Sequence, residues 1–251
     1  MTRAPVDVPG AAMLDQLAAL GPFFVLHTHH RAAPARPPWQ EMRTLVEDPQ
    51  VLRDRVDGVR GYLAAAGAQS PAAVELRVAA SVTHLGLTAR LVSPALALAV
   101  LTGSWPRPDL ETARWQPVPG GAFPLSFDAG AFAAGTPDDL LDGPVRALVR
   151  AAAALSVSPK VLWGNVASAV NGAATVLAGR RPELAAGARA AAGTLLARPA
   201  LRGAGATGPS AAAPFRRRSC CLIYRAAPDR AGALCGDCVL AMPSTRGRQQ
   251  G

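Results

Sequence analysis

Apolar positions along most of the chain recur at steps of three and four, the period of helices with one buried face. The clearest run is Leu141, Val145, Leu148, Ala152 and Leu155. It follows Thr136-Pro137-Asp138-Asp139, where the hydroxyl can cap free backbone N–H groups, proline suits the first helical position and the acids complement the positive helix end. Ser70-Pro71, Ser93-Pro94 and Ser158-Pro159 predict further helix starts, and Pro182 opens a run through Leu195 and Leu196. Strand signals are fewer. Phe23 to Thr28 is short and apolar, and the stretches around Trp115 and Phe123 to Phe127 flank Pro119-Gly120-Gly121 as a hairpin would, with Pro117 and Pro124 confining it to a sheet edge. The pattern predicts a mainly α fold with a minor β component (α+β).

Val161 to Gly179 holds no charge between Lys160 and Arg180, close to the ~20 residues that span a bilayer. It also contains Asn165 and Asn171, whose amides are costly in lipid, so a buried helix is the expectation and no transmembrane segment is assigned. Near the N-terminus, Asp7 and Asp15 interrupt any apolar leader, and a cytoplasmic protein is expected.

Composition adds that a core can form: of 251 residues half are apolar and 17% charged, with 24 Gly and 23 Pro, below the level of a disordered chain. Residues 201–214 (LRGAGATGPSAAAP) are small and turn-rich, which divides the chain into a helical body over 1–200, a linker over 201–214 and a C-terminal module over 215–251 with a frayed end.

Charge and thiols gather in that module. From Pro214 onward seven arginines stand against two aspartates, within a whole-chain net charge of +9. All four cysteines lie there as C-C-x13-C-x2-C: Cys220, Cys221, Cys235 and Cys238. A reducing compartment disfavours disulfides, and a dithiol reading would need a βαβ context that this tail lacks. Four thiolates suit a structural zinc or an iron–sulfur cluster. Adjacent cysteines on extended chain point oppositely, which favours the larger target of a two-iron cluster without excluding zinc. The alternative stays open: a four-cysteine zinc module on a basic tail that binds nucleic acid or a protein partner. Phosphate-loop, dinucleotide and hydrolase motifs are absent from the sequence.

RRSCC, a tyrosine-containing loop and then CGDC resemble the C-terminal signature of FhuF-type ferric-siderophore reductases. LTARLVSPALALAVLTG and SPKVLWGNVASAVNGA are similar to stretches of that family, so the resemblance runs from about Val78 onward. It implies that Cys220, Cys221, Cys235 and Cys238 hold one [2Fe–2S] cluster, that the substrate is a ferric siderophore and not nucleic acid, and that an external donor such as a ferredoxin supplies electrons. The family pattern has about ten residues between the cysteine pairs where this chain has thirteen, an insertion expected within Ala226 to Ala233.

Arg216, Arg217 and Arg218 are expected to favour the reduced, more negative cluster and to meet the siderophore substrate, or else to form a solvated run. Trp163 and Asn165 are candidates for a wall of the siderophore pocket, or for core packing with one polar anchor. His27, His29 and His30 are expected at a strand end or surface. His84 and Arg90, six residues apart, are expected on different faces of one helix, with His84 a satisfied structural residue.

Overall fold

The computed structural model describes residues 8–118, 121–206 and 215–241. In chain order these form α1 (Ala11–Leu20), β1 (His27–His29), β2 (Gln40–Glu41), α2 (Thr44–Glu47), α3 (Pro49–Ala66), α4 (Leu76–Thr102), β3 (Arg114–Trp115) and β4 (Leu125–Asp128). There follow α5 (Pro137–Leu140), α6 (Arg146–Ala153), α7 (Pro159–Arg180), α8 (Ala185–Leu196), β5 (Gly205–Ala206) and β6 (Arg216–Arg217). The fold is mainly α with a small β component, as the periodicity predicts.

The centre of the molecule is α4 packed along α7, with α3 and α6 against α4 and α8 against α7. Leu87, Leu91 and Leu96 of α4 and Leu162, Val166 and Val170 of α7 are buried in the same core. By length and composition both helices could cross a membrane, with mean hydropathies of 1.6 and 1.3. In this fold 61% and 56% of their apolar stretches are enclosed by the protein's own elements, as in the core helices of globular domains.

The proline signals hold where the preceding hydroxyl caps the turn that follows. Ser158 accepts from Lys160 N–H ahead of α7, and Thr136 forms a capping box with Asp139 ahead of α5. That helix is interrupted at Gly143 (φ −86°, ψ −109°) before Pro144, so the run to Leu155 is carried by α5, a π turn and α6, and not by one helix. Ser93-Pro94 does not start a helix. Both residues are buried inside the 27-residue α4, where packing on every side holds the helix through the proline. Ser70-Pro71 opens only a single 3-10 turn, because Val74 and Glu75 are extended before α4 begins.

The two expected hairpin strands, β3 and β4, do pair, but not at the sheet edge. The sheet order is β1-β4-β3-β2, with β4 antiparallel to β3 and parallel to β1. Pro117 and Pro124 lie just outside the paired residues and so remove no ladder bond. The expected strand from Phe23 shrinks to His27–His29, since Arg90 claims the upstream carbonyls. Its guanidinium donates to Phe23 O, Val25 O (2.8 Å) and Phe123 O (2.8 Å). Burial draws the Arg90 pKa down to about 10, which leaves it charged at neutral pH.

The expected linker is structured at its start. Leu201 and Ala204 are buried, and Gly205 and Ala206 pair antiparallel with Arg217 and Arg216. Residues 207–214 and the expected frayed tail from 244 lie outside the described residues.

Candidate metal centre

Two turns bring the cysteines together. After Cys221 the chain reverses at Leu222, which takes the left-handed conformation (φ 71°) and donates its N–H to Cys220 Sγ at 3.3 Å. In the C-x2-C turn, Cys238 N–H donates to Cys235 O (3.0 Å), and Leu240 N–H reaches Cys238 Sγ at 3.3 Å. Arg217 N–H donates to Asp237 O (3.0 Å), which sets the second turn beside the strand leading to the first pair. Gly236 has no positive φ, and closure comes from these backbone bonds. All four cysteines are free thiols; Cys221 and Cys238 are buried, Cys220 and Cys235 half-buried.

A hydrogen bond from the Cys235 thiol draws the Cys221 pKa down to about 6 and pushes that of Cys235 up. Burial pushes the Cys220 thiol up. Beyond Ile223 the intervening segment packs against the body, where Ala226 is buried with Val74 and Val78. A 3-10 turn at Ile223–Ala226 is closed by Gly232 N–H to Tyr224 O (2.9 Å) and anchored by Arg225 to Glu75 (2.7 Å), so the additional loop residues rest against the start of α4.

The three arginines divide into three roles. Arg218 is exposed. Arg216 donates to the Cys238 and Ala241 carbonyls at 3.0 and 2.9 Å. Arg217 is only 1% exposed, which corrects the reading of the whole run as solvated. Its Nη2 donates to Asn165 Oδ1 (2.7 Å) and Val161 O (3.1 Å), while Nε and Nη1 have no partner among the described residues. Its charge pulls toward the thiolate at Cys220, Cys221 and Cys235, outweighed at Cys220 by burial and at Cys235 by the bond to Cys221.

The network continues into the core. Asn165 Nδ2 donates to Ser81 O at 2.9 Å, and Ser81 Oγ donates to Cys221 O at 2.9 Å. Ser219 Oγ donates to Lys160 O (3.0 Å), and Asn171 Nδ2 to Asp237 Oδ1 (3.0 Å). Gly164 makes the approach possible: a methyl group there would overlap the Ser219 hydroxyl and lie 2.9 Å from Arg217 Nη2. The sequence reading assigns no site role to Gly164, Ser81, Asn171 or Asp237. The SPKVLWGN stretch offered a signal, since a glycine beside a central helical amide marks a close backbone approach.

Asn165 is fully buried and its amide is spent on Ser81 and Arg217, so it anchors the module and forms no pocket wall. Trp163 lies under the Arg146 guanidinium, 5.3 Å from the ring centroid. His29 Nδ1 pairs with Ser126 Oγ (2.8 Å), and His27 sits edge-on to Trp39, as expected of a strand end. His84 departs from expectation. It is 1% exposed with neither ring nitrogen partnered, and burial followed by the Arg217 charge lowers its pKa to about 3. Arg90 is buried on the same helix, so the two do not divide between an inner and an outer face.

A groove of about 390 Å³ between α4 and α7 runs to Cys235, Gly236 and Asp237. The larger cavity of about 750 Å³, near Arg107, Asp109 and Asp139, shares no residue with the cysteine module.

Among the described residues no three His, Cys, Asp or Glu side chains converge tightly enough to hold one metal ion. Four free thiols are the donor set of a two-iron core as well as of a single zinc. The residues present fit such a core: four thiols, a backbone N–H donor to one sulfur of each pair, and a buried guanidinium with two unpartnered N–H-bearing atoms, suited to an anionic acceptor. Residues 217–240, which contain all four cysteines, match the family model described as FhuF 2Fe-2S C-terminal domain. No curated protein matches the chain. The cysteine module is therefore a [2Fe–2S] domain of the FhuF C-terminal type.

Proposed function

We propose that this protein is a ferric-siderophore reductase of the cytoplasm, with Cys220, Cys221, Cys235 and Cys238 as ligands of its [2Fe–2S] cluster. When bound, the cluster supplies single electrons, enough to take one Fe(III) to Fe(II). Siderophore oxygens hold the hard ferric ion tightly and ferrous ion weakly, so reduction leads to release without a general acid or base. The chain's own residues provide the setting. Arg217 places a buried positive charge where reduction adds a negative one, Leu222 and Leu240 donate N–H to sulfur, and Ser81 and Asn165 tie the module to α4 and α7. The reading is carried by the FhuF-type domain that spans all four cysteines. With no flavin or nicotinamide motif in the sequence, a separate one-electron donor of the ferredoxin class completes the cycle.

The test is anaerobic mixing of dithionite-reduced protein with a ferric siderophore. The reduced-cluster spectrum should disappear while a ferrous chelator reports about one Fe(II) per cluster. Reoxidation no faster than in buffer rejects the reductase reading and leaves an electron carrier for another acceptor. A colourless zinc protein would return the four-thiolate alternative.

A further inference from the structure

The geometry points to the outer side of the cysteine module as the docking surface for the electron donor, an acidic protein that carries one electron at a time. It rests on the reductase reading for the need of a donor, and adds where that donor binds and what charge it bears. Six large apolar side chains are exposed among the described residues, and three of them, Leu234, Val239 and Leu240, fall within seven consecutive positions. Leu234 precedes Cys235 and the other two follow Cys238, so they bracket the C-x2-C turn. Each cysteine pair leaves one member half-buried, Cys220 and Cys235, while Cys221 and Cys238 are enclosed. Leu234 thus adjoins one of the two open thiols.

Positive charge surrounds that patch. Side chains alternate along extended chain, so with Arg217 turned inward its neighbours Arg216 and Arg218 turn outward. Arg216 is held against the turn by Cys238 O and Ala241 O, and Arg218 is exposed. Lys160 is exposed in the first turn of α7, where its carbonyl accepts from Ser219, the residue before Cys220. Among the described residues none of these three is in an ion pair. Arg225 and Arg230, by contrast, face Glu75. Unpaired positive charge around a small apolar centre complements an acidic partner: the charge steers the encounter, and the apolar contact is small enough to let the partner leave. An anionic membrane offers the same charge, but the open thiols decide for a redox protein, because an electron has to enter beside them. In that step one electron leaves the reduced donor and enters the oxidised cluster, with no bond made or broken.

The experiment follows, by stopped flow and with no siderophore present, reduction of the cluster-loaded full chain by a reduced acidic [2Fe–2S] ferredoxin. The second-order rate should fall about tenfold or more from about 0.01 M to about 0.3 M salt. Lys160→Glu and Arg218→Glu should each slow it about fivefold or more at low salt, and Leu234→Ser with Leu240→Ser about threefold or more. Photoreduction by a small neutral deazaflavin should keep the wild-type rate in all of them. Arg53→Glu makes the same change of net charge on the exposed start of α3, while the module touches the far end of that helix through Gln69 and Ala226; it should slow the donor by less than about twofold. A rate that salt leaves unchanged, equal slowing by Arg218→Glu and Arg53→Glu, or a slower deazaflavin reaction in the patch variants overturns the inference. Co-sedimentation with anionic phosphatidylglycerol vesicles that Arg218→Glu abolishes, with the donor rate unaffected, gives the patch to a membrane and also overturns it. These outcomes involve no chelate and leave the reductase reading standing. Reduction by the donor that depends on salt and on Arg218, in a protein no ferric siderophore reoxidises, keeps the surface and rejects the reductase.

Discussion

Arg217 and Arg218 are neighbours with opposite fates, and their variants separate a charge that acts on the thiols from one that solvent screens. Arg217→Gln should lower the cluster potential by tens of millivolts, on a scale where about 59 mV is tenfold for one electron. Arg218→Gln should leave it unchanged, because its side chain is exposed. Redox titration at low salt checks both. Serine at Cys220, Cys221, Cys235 or Cys238 should each cost the cluster, measured as iron and sulfide per chain, since the sequence offers no fifth thiol. His84 carries a pH dependence. Its folded pKa of about 3 lies below the usual 6.5, so the unfolded chain takes up the proton first. Its contribution is complete above pH 6.5 and is lost as pH falls toward 3, by about 1.4 kcal/mol per pH unit. Between pH 7 and 5 the wild type should therefore lose about 2 kcal/mol more than His84→Leu in urea unfolding. Equal losses would mean that the imidazole is not kept neutral by the fold.

At the scale of elements, β6 seats against the first turns of α7 only because position 164 has no side chain. Gly164→Ala improves helix propensity by about 1 kcal/mol, yet it should destabilise the protein by about 1–3 kcal/mol net, because Ser219 and Arg217 must move within a buried network. Thermal unfolding of the variant measures the sign directly, and a stabilised variant would show that the strand has room to shift. The same scale shows where periodicity reading failed. The buried positions 141, 145, 148, 152 and 155 were all read correctly, but Gly143 breaks the helix that carries them. Conversely Pro94 was read as a start and lies mid-helix, because the core encloses α4 there on every side.

For the whole molecule, the cysteine module reads in sequence as an appendage behind a linker, and the structure ties it into the body. Ser81 of α4, Asn165 and Asn171 of α7, and β5 all bond to it. Cluster absorbance and helical circular dichroism should therefore be lost at one urea concentration, as a single cooperative unit requires. Bleaching that clearly precedes the loss of helix would show an independently unfolding module.

The helical class, the buried faces and the clustered CC and C-x2-C thiols are legible in the chain alone. These follow from local periodicity and from chemistry carried by residues close together in the chain. Tertiary structure alone decided that Arg217 is buried, that Asn165 anchors rather than lines a pocket, and that an apolar groove ends at Cys235. The physical reason is distance along the chain. Ser81, Asn165, Arg217 and Cys221 meet only when α4 packs on α7, and no local pattern records which polar groups satisfy one another across that contact.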